Sequence, residues 1–324
     1  MQQKVLLSQN ISSIYDTTMK KELLFILFIF LFFAGCNTKK QQAVHSIYYW
    51  STVFCLDSCK TEFLQLHNIK NIYIRYFDIV AGNDGFPVPN ATIRFVSSVP
   101  ENIKVIPVVF IVNDCMKNST KGLANKIISR ILQMNETNDI KRVDEIQIDC
   151  DWTNSTRNNF FSFMSDLQEK AHKKGIRVSA TIRLHQLAET PPPVDRGILM
   201  MYNTGDFTNI SCSKPILDIH DVEPYINGIK KYPIHLSTAY PIFGWNILFR
   251  NNQYVGIMHA DDDLPVLDGD SIVHRQPSVS DILSAKRIVD IKNKTANNEI
   301  ILFDLSNKNI NKYKDNEYEE IYHR

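Results

Sequence analysis

Eight short runs rich in Ile, Val and Leu, helical patterns between most of them, and a first strand with no glycine-rich turn after it predict an α/β protein, a (β/α)8 TIM barrel. Near-continuous apolar strands are what a parallel sheet covered by helices requires. A barrel of this kind typically takes about 250 residues, and residues 46–324 supply enough chain for one such domain. An open doubly wound sheet would want a glycine-rich phosphate turn after its first strand. Cys55-Leu56-Asp57-Ser58-Cys59 contains no glycine.

Taken in order, the expected strands cover residues 47–54, 72–80, 105–112, 145–152, 177–184, 198–203, 234–240 and 299–305. Helices are expected over 57–67, 119–134, 157–174, 222–231 and 280–292, each placed to cross from one strand to the next. Pro191-Pro192-Pro193 holds an extended loop before strand six. Between strands seven and eight an inserted β-hairpin is expected over 245–258. Its arms are Asn246-Ile247-Leu248-Phe249-Arg250 and Gln253-Tyr254-Val255-Gly256-Ile257-Met258, and its turn is Asn251-Asn252.

The N-terminus has a separate logic. Lys20-Lys21 precede an unbroken apolar run from Leu23 to Phe33, and Ala34-Gly35-Cys36 follows at once. The run is shorter than the roughly 20 apolar residues of a confident spanning helix. It resembles a bacterial lipoprotein signal peptide, with Phe33 where such peptides usually carry Leu. The resemblance implies a signal peptide over 1–35 with its start at Met19, lipidation of Cys36, a tether over 36–45 and a barrel domain over 46–324. The expected location is the cell envelope, with a lipid anchor in the membrane and the periplasmic face favoured.

The chain has 324 residues, 44% of them hydrophobic, and a formal charge of +1, so no basic surface for nucleic acid is expected. Apart from Cys36, five cysteines remain without framework spacing, which argues against a disulfide scaffold. Cys55 and Cys59 fit either a local bridge or two buried helix-end thiols, the latter preferred. No zinc spacing is present, and no metal or cofactor is expected. The acidic stretch Asp261-Asp262-Asp263 and Asp268-Gly269-Asp270 misses the calcium-loop pattern and reads as a solvated turn.

The chemistry concentrates in Glu145-Ile146-Gln147-Ile148-Asp149-Cys150-Asp151-Trp152-Thr153. Strand alternation puts Gln147, Asp149 and Asp151 on one face and Ile146, Ile148, Cys150 and Trp152 on the other. In a barrel the carboxyl ends of several strands converge, so the polar strand ends form one constellation. It comprises Asp149 and Asp151 with Asp78, Arg183, His185, Tyr202, Asn203, Tyr240, Trp245 and Asp304. Acids, an Arg and aromatic rings together suit a carbohydrate, whose cleavage takes one acid and one stabilising or basic carboxylate. Two close carboxylates cannot both ionise cheaply, so one is expected to hold a proton. Asp151, nearer the rim, is the expected acid, oriented by Asp149. Arg183, Tyr202, Asn203, Tyr240, Trp245, Asp78 and Asp304 are the expected substrate contacts.

Asp149-Cys150-Asp151-Trp152-Thr153 resembles the Asp-x-Asp-Trp-Glu signature of chitinase-like glycoside hydrolases of family eighteen, and Met200-Met201-Tyr202-Asn203 resembles their Met-x-Tyr-Asp. This chain has Thr153 in place of the family's acid and Asn203 in place of its Asp. Ile72-Tyr73-Ile74-Arg75-Tyr76-Phe77-Asp78 and Gln147-Ile148-Asp149-Cys150-Asp151, followed by Arg157 and the strand around Ser179, are similar to a group of bacterial barrel proteins known as domain of unknown function 3142. The resemblance implies a glycoside hydrolase acting on a glycan. The alternative is a non-catalytic glycan-binding or scaffold lipoprotein built on a degenerate glycosidase barrel.

Overall fold

The computed structural model describes residues 43–323 except 142 and 259–263. The expected leader, Met19, Cys36 and the Asp261-Asp262-Asp263 run lie outside the described residues. Eight parallel strands form the frame: β1 (Val44–Tyr49), β2 (Asn71–Ala81), β3 (Lys104–Ile111), β4 (Glu145–Asp149), β5 (Arg177–Arg183), β6 (Arg196–Met200), β7 (His235–Pro241) and β8 (Glu299–Phe303). They pair in sequence order, and β1 pairs with both β2 and β8, so the sheet closes on itself. A closed sheet has no free edge inside the ring. The short strand Pro87–Asn90 hydrogen-bonds antiparallel to the end of β2, outside the ring.

Alternation along each strand divides the apolar residues into two cores. Tyr48, Tyr73, Ile106, Val108, Ile198, Met200, Ala239 and Ile301 fill the barrel interior. Their outward neighbours, among them Ile47, Ile72, Ile146, Ile148, Leu199 and Tyr240, pack beneath the helices. Those helices are α1 (Ser58–Leu66), α2 (Leu123–Thr137), α3 (Arg157–His172), α4 (Ile219–Ile226) and α5 (Val279–Lys292). Helix α3 shows the logic: Phe160, Phe163, Met164, Leu167 and Ala171 recur at helical spacing and are buried. The helix at Asp315–Tyr322 adds Tyr318, Ile321 and Tyr322 to the same layer.

The amino-terminal floor of the barrel is polar. Arg196 donates to Glu145 at 2.8–2.9 Å and pairs with Glu299; Ser46 and Asn71 donate to Glu299 at 2.7 and 2.8 Å, and Ser179 to Glu145 at 2.8 Å. Burial pushes Glu299 up, and Arg196 with the Ser46 and Asn71 bonds more than reverses it, leaving the carboxyl below its ordinary value.

Differences from the sequence reading have local causes. β1 takes in Val44 and His45, assigned above to the tether, because both pair with the start of β8. It stops at Tyr49, and Val53–Phe54 forms a separate short strand. β4 ends at Asp149 and β6 at Met200, so Asp151, Tyr202 and Asn203 lie in the loops just above their strands. The inserted hairpin is present as Trp245–Arg250 and Gln253–Met258, and a third strand, Ser271–Arg275, pairs with its first arm. Cys55 and Cys59 are free thiols, but Cys55 is exposed and Cys59 half-buried rather than both being buried.

Candidate active site

At the carboxyl ends of the strands the barrel opens into a cleft of about 450 Å³, and Trp50, Asp149, Asp151, Arg183, His185, Tyr202 and Asn203 line it. A larger cleft of about 830 Å³ lies on the outer surface by the start of α2 and the face of α3, around Lys117, Lys121 and Asn159. It shares no lining residue with the cleft at the mouth and lies among the helices, so the chemistry is sought where the strand ends converge.

The centre of the mouth is built from two adjacent strands. On β4, Gln147 and Asp149 point inward; Gln147 Oε1 accepts from the Tyr48 hydroxyl at 2.7 Å. On β5, Thr181 and Arg183 have the same two-residue spacing and point the same way. Asp149 Oδ1 accepts from Thr181 Oγ1 at 2.7 Å and from Arg183 Nη2 at 3.0 Å. Arg183 Nε donates to Asp151 Oδ1, so one guanidinium bridges both carboxylates. The pair differs sharply in solvation, with the Asp149 side chain 6% exposed and that of Asp151 62%.

That asymmetry sets the electrostatics. Burial raises Asp149 above its ordinary value; Arg183 and the Thr181 bond pull against the rise, and the neighbouring Asp151 charge adds to it. Both bonds to Asp149 fall on Oδ1, which leaves Oδ2 as the oxygen to carry a proton. Asp149 is thus the buried member of the pair, with its carboxyl shifted toward the protonated form, while Asp151 sits exposed at the rim. Burial also raises the Tyr202 phenol, which stays a neutral hydrogen-bond donor.

Aromatic rings form the walls. Phe303 contacts Tyr202 at 5.4 Å and Trp50 at 5.3 Å, centroid to centroid, and Trp50 contacts Phe110 at 6.4 Å. The Arg75 guanidinium stacks 5.2 Å from the Trp50 ring and donates from Nε to Asp78 at 2.7 Å. Asp78 is thus taken up by Arg75 behind Trp50 and does not line the cleft. Asp304 is raised by burial, is hydrogen-bonded by Asn309, and also stays out of the lining. Tyr240 is a correction. It is fully buried with its hydroxyl on Asn297 at 2.9 Å, because alternation on β7 turns Ala239 into the barrel and Tyr240 toward the helices. Trp245 sits beyond the cleft and reaches it through Phe243, which contacts Tyr202 at 5.5 Å.

Thr153, in the family's acid position, is exposed; its backbone N–H donates to Thr156 Oγ1 at 3.0 Å in the turn that starts α3. The sequence reading passed over Phe110, Phe303 and Tyr225, all in the lining. Phe110 is in register with Asp149 and Phe303 closes β8, so extending the strand-end search to Phe would have found both. Tyr225 arrives on α4 after a long loop and carries no local signal. Among the described residues no group of three or more His, Cys, Asp or Glu is placed to hold a metal ion.

No protein-family model and no curated protein matches the sequence. Solved structures do. The spore cortex-lytic enzyme SleL of Bacillus cereus aligns at TM-score 0.56 with 14% identity, over 86% of this chain and 73% of that one. A chitinase from Chromobacterium violaceum aligns at 0.53 with 12% identity, over 82% of this chain and 94% of that one. The GH18 chitinase ChiB from the chitin utilization locus of Flavobacterium johnsoniae aligns at 0.53 with 14% identity, over 87% and 94%. At these identities the shared property is the fold, a closed (β/α)8 barrel.

Proposed function

We propose that the protein is a glycoside hydrolase acting on a chitin-type glycan of linked amino sugars. The observation that carries the reading is the Asp149–Arg183–Asp151 constellation set beside Trp50 and Tyr202 at the mouth of the barrel. Sugars present hydroxyls to carboxylates and C–H faces to rings, and both kinds of surface meet here. Asp149 holds the proton that passes to the glycosidic oxygen as the bond to the anomeric carbon breaks. Asp151, paired with Arg183, faces the positive charge that develops on the sugar, and water supplies the hydroxyl to the anomeric carbon while its other proton returns to Asp149. The chitinases and the cortex-lytic enzyme that share the fold support the substrate class.

A second reading, a glycan-binding protein without turnover, is favoured by Thr153 and by the guanidinium that engages both carboxylates. The deciding experiment incubates the protein with chito-oligosaccharides, other polysaccharides and peptidoglycan fragments, measuring binding and released reducing ends together. Hydrolysis of a chito-oligosaccharide is the expected result. Binding with no reducing ends released from anything bound would establish the second reading.

We also propose that the protein is held at the membrane by a lipid on Cys36, on the strength of Lys20-Lys21, the apolar run and Ala34-Gly35-Cys36. Cys36→Ala is expected to move the protein out of the membrane fraction of its native host. Unchanged fractionation would refute lipidation at that residue.

A further inference from the structure

Asp149 takes both of its hydrogen bonds from β5, yet the register between β4 and β5 ends at Ile148 and Ala180. The two donors, Thr181 and Arg183, lie past that point, in register with Ile198 and Met200 of β6. Pairing with β4 therefore does not carry Arg183 to Asp149. What fixes the end of β5 is a side chain: Gln186, 1% exposed, turns back and accepts from the Arg183 backbone N–H with Oε1 at 2.9 Å. It belongs to a single 3-10 turn, Leu184–Ala188, that follows Arg183 directly.

The turn is seated on both sides. A Cβ at Gly228 would lie 2.7 Å from the Leu187 carbonyl oxygen, so the two chain segments meet there with no room for a larger residue. Glu189 accepts from Arg157 Nη1 at 3.0 Å, and the same guanidinium lies 5.9 Å from the ring of Trp152, the neighbour of Asp151. Stability does not account for the choice of Gln. Its Nε2 is buried with no hydrogen-bond partner among the described residues, a cost that an apolar side chain of the same length would avoid. A residue kept at such a cost is expected where placement matters more than packing.

We infer that Gln186 is a positioning residue of the site: its amide fixes the end of β5 and thereby holds the Arg183 guanidinium on Asp149 and Asp151. Gln186 does not line the cleft and acts only through Arg183. Its part in catalysis rests on the glycan-hydrolase reading above; its part in the geometry does not.

The test compares Gln186→Met and Leu187→Ala with the native full chain, by NMR of the Arg183 guanidinium nitrogens and of the Asp149 carboxyl carbon through a pH titration. In the native protein the guanidinium should be restricted, with resolved Nη signals. In Gln186→Met those signals should merge as the side chain swings free, and the Asp149 titration should move to higher pH, because Arg183 opposes the rise that burial causes. The alkaline limb of chito-oligosaccharide hydrolysis should follow it, with kcat lowered by about 10-fold and KM little changed. The melting temperature should change little, since Met removes one unpaired buried donor and leaves another. Leu187→Ala should lower it by roughly 5–15 °C through lost packing, with both NMR signals as in the native protein. Native signals in Gln186→Met, or the same displacement in Leu187→Ala, would overturn the role of Gln186. Displaced signals in Gln186→Met, with no glycan hydrolysed by the native protein, would uphold the positioning and overturn the reading of the pair as hydrolytic.

Discussion

Asp149→Asn is expected to lower turnover of a chito-oligosaccharide by about 10²-fold or more while changing its affinity little, because the amide keeps the shape and polarity of the carboxyl and removes the proton. The pH dependence supplies a sharper signature. Burial holds the Asp149 carboxyl above its ordinary value, so the protonated form that does the work persists at mildly acid pH and activity falls as pH rises through the raised value. Arg183 opposes that rise and Asp151 assists it. In the residual activity, Arg183→Met should therefore move the alkaline limb to higher pH, and Asp151→Asn should move it to lower pH. Opposite movements of one limb are hard to obtain unless Asp149 is the titrating group. Full turnover in Asp149→Asn would reject its role and return the acid to Asp151.

The largest effect on stability is expected at the floor of the barrel. Arg196→Met removes the cation shared by Glu145, whose side chain is 0% exposed, and Glu299, whose side chain is 8% exposed. Breaking a buried ion pair from one side costs about 3–5 kcal/mol, because the remaining charge stays buried without its partner. For a domain of this size each kcal/mol moves the melting temperature by roughly 2–4 °C, so thermal unfolding should begin on the order of 10 °C earlier. Arg177 stays 3.2 Å from Glu145, which leaves Glu299 as the more exposed loss.

The linkage has a definite sign. In the native protein Glu299 lies below its ordinary value, so it contributes stability above its unfolded value, and that contribution is lost as pH falls through the native value. In the variant the same carboxyl is buried without its cation and prefers its proton, so the deficit relative to the native protein should shrink on acidification. A melting temperature unchanged at neutral pH, measured by circular dichroism, would show that the network contributes no net stability.

Much of the fold was legible because strand and helix periodicities are local. The alternation in Glu145-Ile146-Gln147-Ile148-Asp149 placed Gln147 and Asp149 inward and Ile146 and Ile148 outward without knowledge of any neighbour. The hairpin turn at Asn251-Asn252 was readable for the same reason: both residues adopt positive φ, which Asn tolerates. Tyr240 shows where attention to strand ends alone misleads, since applying alternation to His235–Pro241 would have turned it away from the mouth. The third strand of the inserted sheet, Ser271–Arg275, is polar at both ends and pairs across a long connection, so no short-range pattern announced it.

The sequence by itself determined the order of strands and helices, the side of β4 that carries Asp149, and the inventory of groups available at the mouth. Only the tertiary structure decided how those groups are shared. It gives Asp149 to Thr181 and Arg183, Asp78 to Arg75, and Tyr240 to Asn297. It also buries one carboxylate of the pair and leaves the other in water. Side-chain direction follows from the backbone of one strand, whereas partner choice and solvation depend on residues far apart in the chain that meet only when the ring of strands closes.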